Sequence, residues 1–291
     1  PVAGQREALS IAVALRLALT SDRATAALVT PDRGLARRVA VELRRFGIEA
    51  DDSGGTPLAD SPPATLARLL LETVFRPGEP IAMVALLKHP LLRLGLKRAR
   101  VRRAAETIEL VALRGGTGRP DIATLDTLFE TRWAGIESST RKPFWFVRVN
   151  DAALAEARAV LEALRAALTP LVEMRGVRGV GVPDMARFTV EVLEALGRSE
   201  DGSLTNYYEG ERGQAMAAFL RGLVGSDTTL PFDASEWPPV FAALIATEVV
   251  KPTMGADKRV AIWGALEARL LSVDTLVLGG MNEGTWPSIP S

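Results

Sequence analysis

The feature that most limits the possible folds is the placement of the strand-type segments. Short apolar runs fall at the two ends of the chain, Thr25–Val29 early and Val260–Trp263 and 275–279 late, and Ile48-Glu49-Ala50 begins a second short early strand. Such runs suit strands covered on both faces, as in a parallel sheet. Between them, residues 90–255 are patterned mainly as helices. A sheet must therefore be assembled from opposite ends of a 291-residue chain, around a long helical middle.

The first end reads as alternating helix and strand. Residues 7–20 place Leu9, Val13 and Leu17 on one row and Ile11, Leu15 and Leu19 on the next, which predicts a largely buried helix. After the run 25–29, Thr30-Pro31-Asp32 supplies helix-start chemistry, with Thr30 as the cap, Pro31 in the first turn and Asp32 at the positive end of the dipole. The helix that follows puts Leu35, Val39, Leu43 and Phe46 on one face and arginines on the other, and Gly47 ends it. Strand, helix and strand at this spacing predict a right-handed crossover. Asp51-Asp52-Ser53-Gly54-Gly55-Thr56-Pro57 reads as a turn. Helical periodicity resumes at 64–75, 81–87, 152–168, 185–196 and 213–224.

Composition removes several kinds of chemistry. With 47% hydrophobic residues the chain can build a core. No cysteine is present, so thiol catalysis, disulfides and iron–sulfur ligation have no residues to work with here. A hydroxyl nucleophile would have to use His89, the only histidine, which sits between an apolar run and Pro90 and reads as a structural or surface group. The longest uncharged stretch, Trp237 to Thr247, is too short to span a bilayer, so a cytoplasmic location without membrane contact is expected. The start at Pro1 suggests an internal piece of a longer protein.

The net charge of zero hides an asymmetry. Residues 1–115 carry 18 basic and 12 acidic side chains. Lys88, Arg93, Lys97, Arg98, Arg100, Arg102 and Arg103 follow one another with no acid among them. Such a run suits a phosphate-facing surface, and equally a solvated helix face. No Gly-Lys pair exists, so there is no P-loop. Gly176-Val177-Arg178-Gly179-Val180-Gly181 follows no strand and runs toward Pro183, unlike a dinucleotide fingerprint. Glu248-Val249-Val250-Lys251 lacks the upstream partner of a metal nuclease site, and Asp51-Asp52 reads as a solvated turn or a weak cation site.

Two blocks carry a family resemblance. Residues 25–39, followed by 46–58, resemble AddB, a subunit family of the bacterial AddAB helicase–nuclease, in its alphaproteobacterial form. Residues 259–269 with Val277-Leu278-Gly279-Gly280-Met281-Asn282-Glu283-Gly284-Thr285-Trp286-Pro287 look like a later block of the same family. The resemblance implies an α/β fold, a RecA-like parallel-sheet domain of the UvrD 2A type, interrupted by a large, mainly helical 2B-like insertion. On that plan residues 1–88 open the 2A-type domain, 89–255 form the insertion, and 256–291 return to a C-terminally truncated 2A. It also implies a role in double-strand-break repair and homologous recombination. The partners would be DNA, single-stranded, duplex or forked, and an AddA-like motor subunit. ATP, Mg and an iron–sulfur cluster belong to the full complex, and no cofactor is expected in this fragment.

The departures from the family pattern shape the expectation. Active UvrD-like helicases carry a His-Ser-x-Lys-Gly-Leu-Glu type block where this chain has Trp263-Gly264-Ala265-Leu266-Glu267. The expected helicase arginine is displaced, with Arg33 just past Thr30-Pro31-Asp32. A degenerate helicase region that handles DNA without its own ATPase or nuclease site is expected. The alternative is a scaffold that binds AddA without touching DNA. Candidate DNA contacts are Thr30, Asp32 and Arg33 beyond the first strand, the run Lys88–Arg103, and Asn282, Thr285 and Trp286 beyond the last strand, with Glu283 beside them. Trp286 suits base stacking or core packing, and Trp263 suits packing. Arg37 and Arg44 read as surface charges or partner contacts.

Overall fold

A computed structural model describes residues 2–115, 119–228, 230–250 and 257–282. The chain forms two compact units. One joins Pro1–Thr56 with Val249–Ser291, and the other is the continuous stretch Pro57–Glu248. Among the described residues, no helix is long and apolar enough to cross a membrane.

The first unit is built on a four-stranded parallel sheet. Helix α1 (Val2–Ala18) leads to β1 (Ala26–Val29), α2 (Arg33–Arg45) and β2 (Ala50–Asp52), and the late segment adds β3 (Asp257–Trp263) and β4 (Thr275–Leu278). The order across the sheet is β2-β3-β1-β4, every pairing parallel. The expected pairing of both ends into one sheet is therefore present. The two early strands, however, are not neighbours, because β3 lies between them, matching Ala26–Val29 residue for residue with Val260–Trp263. The predicted strand at 48–50 begins two residues later. Gly47, at φ 73, and the bond from Ile48 N–H to Leu43 O still belong to the end of α2.

Burial explains why β1 is apolar at every position. Ala26 and Leu28 join a core with Leu15 of α1 and Leu35, Val39 and Leu43 of α2. Ala27 and Val29 face the other way and pack with Ala261 and Trp263. Trp263 is thus a packing residue at 8% exposure. The amphipathic plan of α2 is as its sequence predicts, with Arg37 and Arg44 exposed and Arg44 3.6 Å from Glu49.

The second unit is helical. It contains α3 (Pro62–Phe75), α4 (Pro80–Lys88), α5 (Arg98–Ile108), α6 (Leu125–Ser138), α7 (Asp151–Glu173), α8 (Val182–Gly197), α9 (Thr205–Tyr208), α10 (Gly210–Val224) and α11 (Trp237–Ile245). The compact units divide between Thr56 and Pro57 rather than after residue 88. Helix α3 buries Ala64, Leu66, Ala67, Leu69, Leu70, Leu71 and Val74 over most of its circumference, leaving one open side to the Arg68–Glu72 pair. A helix with so wide an apolar face must be packed on several sides, and α4, α7, α8, α10 and α11 pack on it. The helical unit thus starts at Pro57 and closes at Glu248, not at 255, where Leu58 N–H donates to Glu248 O at 2.8 Å. Polar groups in this core are matched: Trp237 Nε1–H donates to Thr189 Oγ1 at 2.8 Å, and Arg175 makes a two-pronged pair with Asp121 at 2.8 Å.

Candidate nucleic-acid interface

The expected site residues separate into two groups, one in each unit. In the sheet unit, the chain beyond β1 meets the chain beyond β4. Thr30 is fully buried, and its Oγ1 accepts from Asp32 N–H at 3.1 Å. The cap of α2 is Asp32 and not Thr30: its Oδ1 accepts from Gly34 N–H at 2.7 Å and Leu35 N–H at 3.0 Å. A single carboxylate reaches the orphan amides of the first turn more directly than a hydroxyl two residues earlier. Gly280 sits at φ 71, and a Cβ there would lie 3.0 Å from Thr30 Oγ1. Its N–H donates to Glu7 Oε1 at 3.0 Å. Asn282 follows, exposed. Glu283, Thr285 and Trp286 lie outside the described residues.

Arg33 is the cation of this group, and it is already engaged. Its Nη2 donates to both oxygens of Asp52, at 2.7 and 2.9 Å, and its guanidinium occupies the space that a side chain at Gly54 would need. The 51–55 turn is thereby tied to the start of α2. Asp52 is spent on Arg33 and on the N–H of Gly54, which removes it from the suggested cation site. Thr30, Asp32 and Arg33 thus all take part in local contacts, while Arg33 Nη1 is buried without a hydrogen-bond partner.

The second group, Lys88 to Arg103, lies in the helical unit around the start of α5. The seven cations are not equivalent. Lys88 pairs with Glu109, and Arg103 makes a two-pronged pair with Glu156, 3.0 Å at its Nε. Lys97 is a loose 3.9 Å from Glu200. The Arg103 pair holds the guanidinium protonated more firmly than usual, and Glu156 is held below the usual carboxylate range by the same hydrogen bond. These two pairs distinguish Lys88 and Arg103 from the rest of the run.

Arg93, Arg98 and Arg102 behave differently. Among the described residues none of them forms an ion pair. Arg98 donates to Lys88 O at 3.0 Å, and Arg93 donates to Pro90 O. The pKa of Arg98 is lowered, first by burial and then by the charges of Arg93 and Arg102. Arg98 thus stands in the field of Arg93 and Arg102, and among the described residues none of the three has an acid in ion-pair contact. Arg98 and Arg102 are four residues apart and share a face of α5, while Val101, Ala104, Ala105 and Ile108 hold the opposite face in the core. No acidic residue stands in the first turn of α5, so Lys97 and Arg98 add to the positive end of the helix dipole.

The loop that delivers Arg93 is fixed by backbone. Arg93 N–H and Leu94 N–H both donate to Leu196 O, at 2.8 and 3.0 Å, and Gly95 N–H donates to Arg198 O at 2.7 Å. Leu94 holds φ 56, unusual for a branched side chain, and those three bonds keep it there. His89 braces the other side. It is buried at 6% exposure, and its Nδ1 accepts from Leu91 N–H at 3.2 Å. Burial, helped by Arg98, pushes its pKa down to about 4. His89 is therefore neutral at pH 7, with its proton on Nε2, a structural group and not a catalytic base.

Sequence patterning missed the pairings that sort this run, because Arg103 and Glu156 are 53 positions apart. It also left the exposed aromatic segment 139–150 unassigned. The residue types present do not suit the cofactors of the implied complex. An iron–sulfur cluster needs cysteines, which the chain lacks. Among the described residues, no three acidic or histidine side chains group as a metal-ligand set. Comparison of the chain with protein-family models and with curated protein sequences finds no match to either.

Proposed function

We propose that this chain is a DNA-handling segment of an AddB-like subunit in a break-resection complex, acting through the arginine cluster at the start of α5 and without ATPase or nuclease chemistry of its own. The observation that carries the reading is the set Arg93, Arg98 and Arg102, held in place by a docked loop and a helix, with Arg98 in the repulsive field of the other two and no ion pair to any of them among the described residues. A phosphate placed between them relieves that repulsion and adds charge-assisted hydrogen bonds. It also releases counterions from the nucleic acid. Nothing in this arrangement reads base edges, so the binding is of backbone and shape.

The parent assignment rests on the two resembling end blocks and on the order of units along the chain. A parallel-sheet unit made of two chain segments flanks a continuous helical unit. That order fits a 2A-type RecA-like domain interrupted by a 2B-type insertion. One observation favours the scaffold reading for a different surface. Ile81 is 80% exposed beside Pro80, Val84, Ala85 and Leu113, an open apolar groove that suits a protein partner such as an AddA-like motor.

The test is fluorescence anisotropy of labelled forked and duplex DNA with the full 291-residue chain. The wild type binds at low salt, and replacing Arg93, Arg98 and Arg102 together by Ala weakens binding at least tenfold while the circular dichroism spectrum is unchanged. Absence of binding by the folded wild type at low salt refutes the proposal and leaves the scaffold reading.

A further inference from the structure

Between α6 and α7 the chain runs Ser139-Thr-Arg-Lys-Pro-Phe-Trp-Phe-Val-Arg-Val-Asn150, with three cations, three aromatic rings and no acid. Residues 146–148 form a tight 3-10 turn, closed by Phe146 N–H to Pro143 O at 3.0 Å, Arg148 N–H to Trp145 O at 2.9 Å and Val149 N–H to Phe146 O at 3.0 Å. With three residues per turn, positions 143, 146 and 149 share one row and 144 and 147 another. The first row faces inward. Phe146 stacks on Trp133 of α6, ring centres 5.4 Å apart and planes 9° from parallel, and Val149 is buried. Lys142 lies 4.4 Å from the centre of the Phe146 ring and donates to Glu137 O at 2.6 Å. The second row faces outward. Phe144 is 83% exposed and Val147 86% exposed. Arg141 and Arg148 are exposed as well, and among the described residues neither forms an ion pair.

We infer that this turn is a stacking platform for single-stranded nucleic acid, with bases lying on Phe144 and Val147, beside Trp145, and phosphates meeting Arg141 and Arg148. The inference rests on the DNA-handling reading and names the strand type that the surface takes. Charge selects this occupant. A complementary ligand must offer flat apolar faces and a regular row of negative charge together, which unpaired nucleotides do. Position agrees. Helix α7 starts at Asp151, immediately after the turn, and Glu156, which pairs with Arg103 of α5, is only about 7.5 Å further along that helix. The turn therefore leads directly into the helix that anchors α5 through the Arg103–Glu156 pair. The braced inner row keeps the outer side chains presented before any ligand arrives, which lowers the ordering cost of binding.

The test compares an oligothymidylate, an abasic oligomer of the same length and charge, and a duplex, each labelled, against the full chain. The platform predicts that the wild type binds oligothymidylate about five- to 100-fold more tightly than the abasic oligomer. Phe144→Ala removes that preference and leaves abasic and duplex binding unchanged, and Phe144→Trp restores it. Phe144 is too exposed for its loss to endanger the fold. Equal wild-type affinity for the two oligomers, or an unchanged preference in Phe144→Ala, overturns the platform while leaving the arginine cluster standing. If Phe144→Ala instead abolishes binding of an AddA-like partner with DNA affinity intact, the turn is a protein-docking surface and the inference fails. Failure of every DNA to bind refutes the underlying reading as well.

Discussion

His89 provides a sharp test of the loop that positions the arginine cluster. Its side chain is 6% exposed, accepts a backbone hydrogen bond through Nδ1 and titrates at about 4 in the folded protein, against an ordinary 6.5. Between those two values the unfolded chain binds a proton at this position and the folded chain does not. The folded state therefore loses stability as pH falls from about 6.5 to about 4. The full effect is about 3 kcal/mol, and roughly 2 kcal/mol of it falls between about pH 7 and pH 5. His89→Asn keeps an acceptor for Leu91 N–H and carries no titrating group. Urea denaturation followed by the helical circular dichroism signal, at a series of pH values from 7 to 5, reads the difference. The wild type should lose about 2 kcal/mol more than His89→Asn over that range. Equal losses in the two proteins would refute the assignment of His89 as a buried neutral brace.

The other predictions address the sorted cations and the sheet. Glu156→Gln frees Arg103 from its carboxylate, so the dependence of duplex affinity on salt should steepen by about 0.9 in log–log slope, read by anisotropy; an unchanged slope means that Arg103 lies off the DNA path. Gly279→Ala would put a Cβ 2.9 Å from Leu28 Cδ1, 3.0 Å from Ile11 Cδ1 and 3.1 Å from Leu35 Cδ2, and should cost about 1–3 kcal/mol in thermal or chemical unfolding of the sheet unit. A neutral effect would mean that α1 and α2 pack more loosely on β1 than described.

Much of the fold was readable because local patterns and tertiary packing agree. The run Ala26-Ala27-Leu28-Val29 is apolar at every position because both faces of β1 are covered, and its strand character follows directly. Leu66, Leu69, Leu70 and Leu71 mark α3 as a mostly buried helix whose open side carries Arg68 and Glu72, yet periodicity alone places a helix without saying which unit surrounds it. Strand order was not readable, since β3 enters between β1 and β2 from the far end of the chain. The site was half legible. The basic run stands out as seven cations without an acid, but which of them keep a free charge depends on Glu109 and Glu156, brought in by folding. The strained φ of Leu94 and its carbonyl partners at 196 and 198 carry no sequence signature at all.

The most direct measurement is the salt dependence of duplex DNA binding by the intact chain, wild type beside Arg98→Ala/Arg102→Ala. With Arg93, Arg98 and Arg102 each meeting a phosphate, the log–log slope should be about −2.7, falling to about −0.9 in the double variant. A folded wild type that binds with a slope near zero, or a double variant with the slope of the wild type, would contradict the assignment of this cluster as the DNA-handling surface.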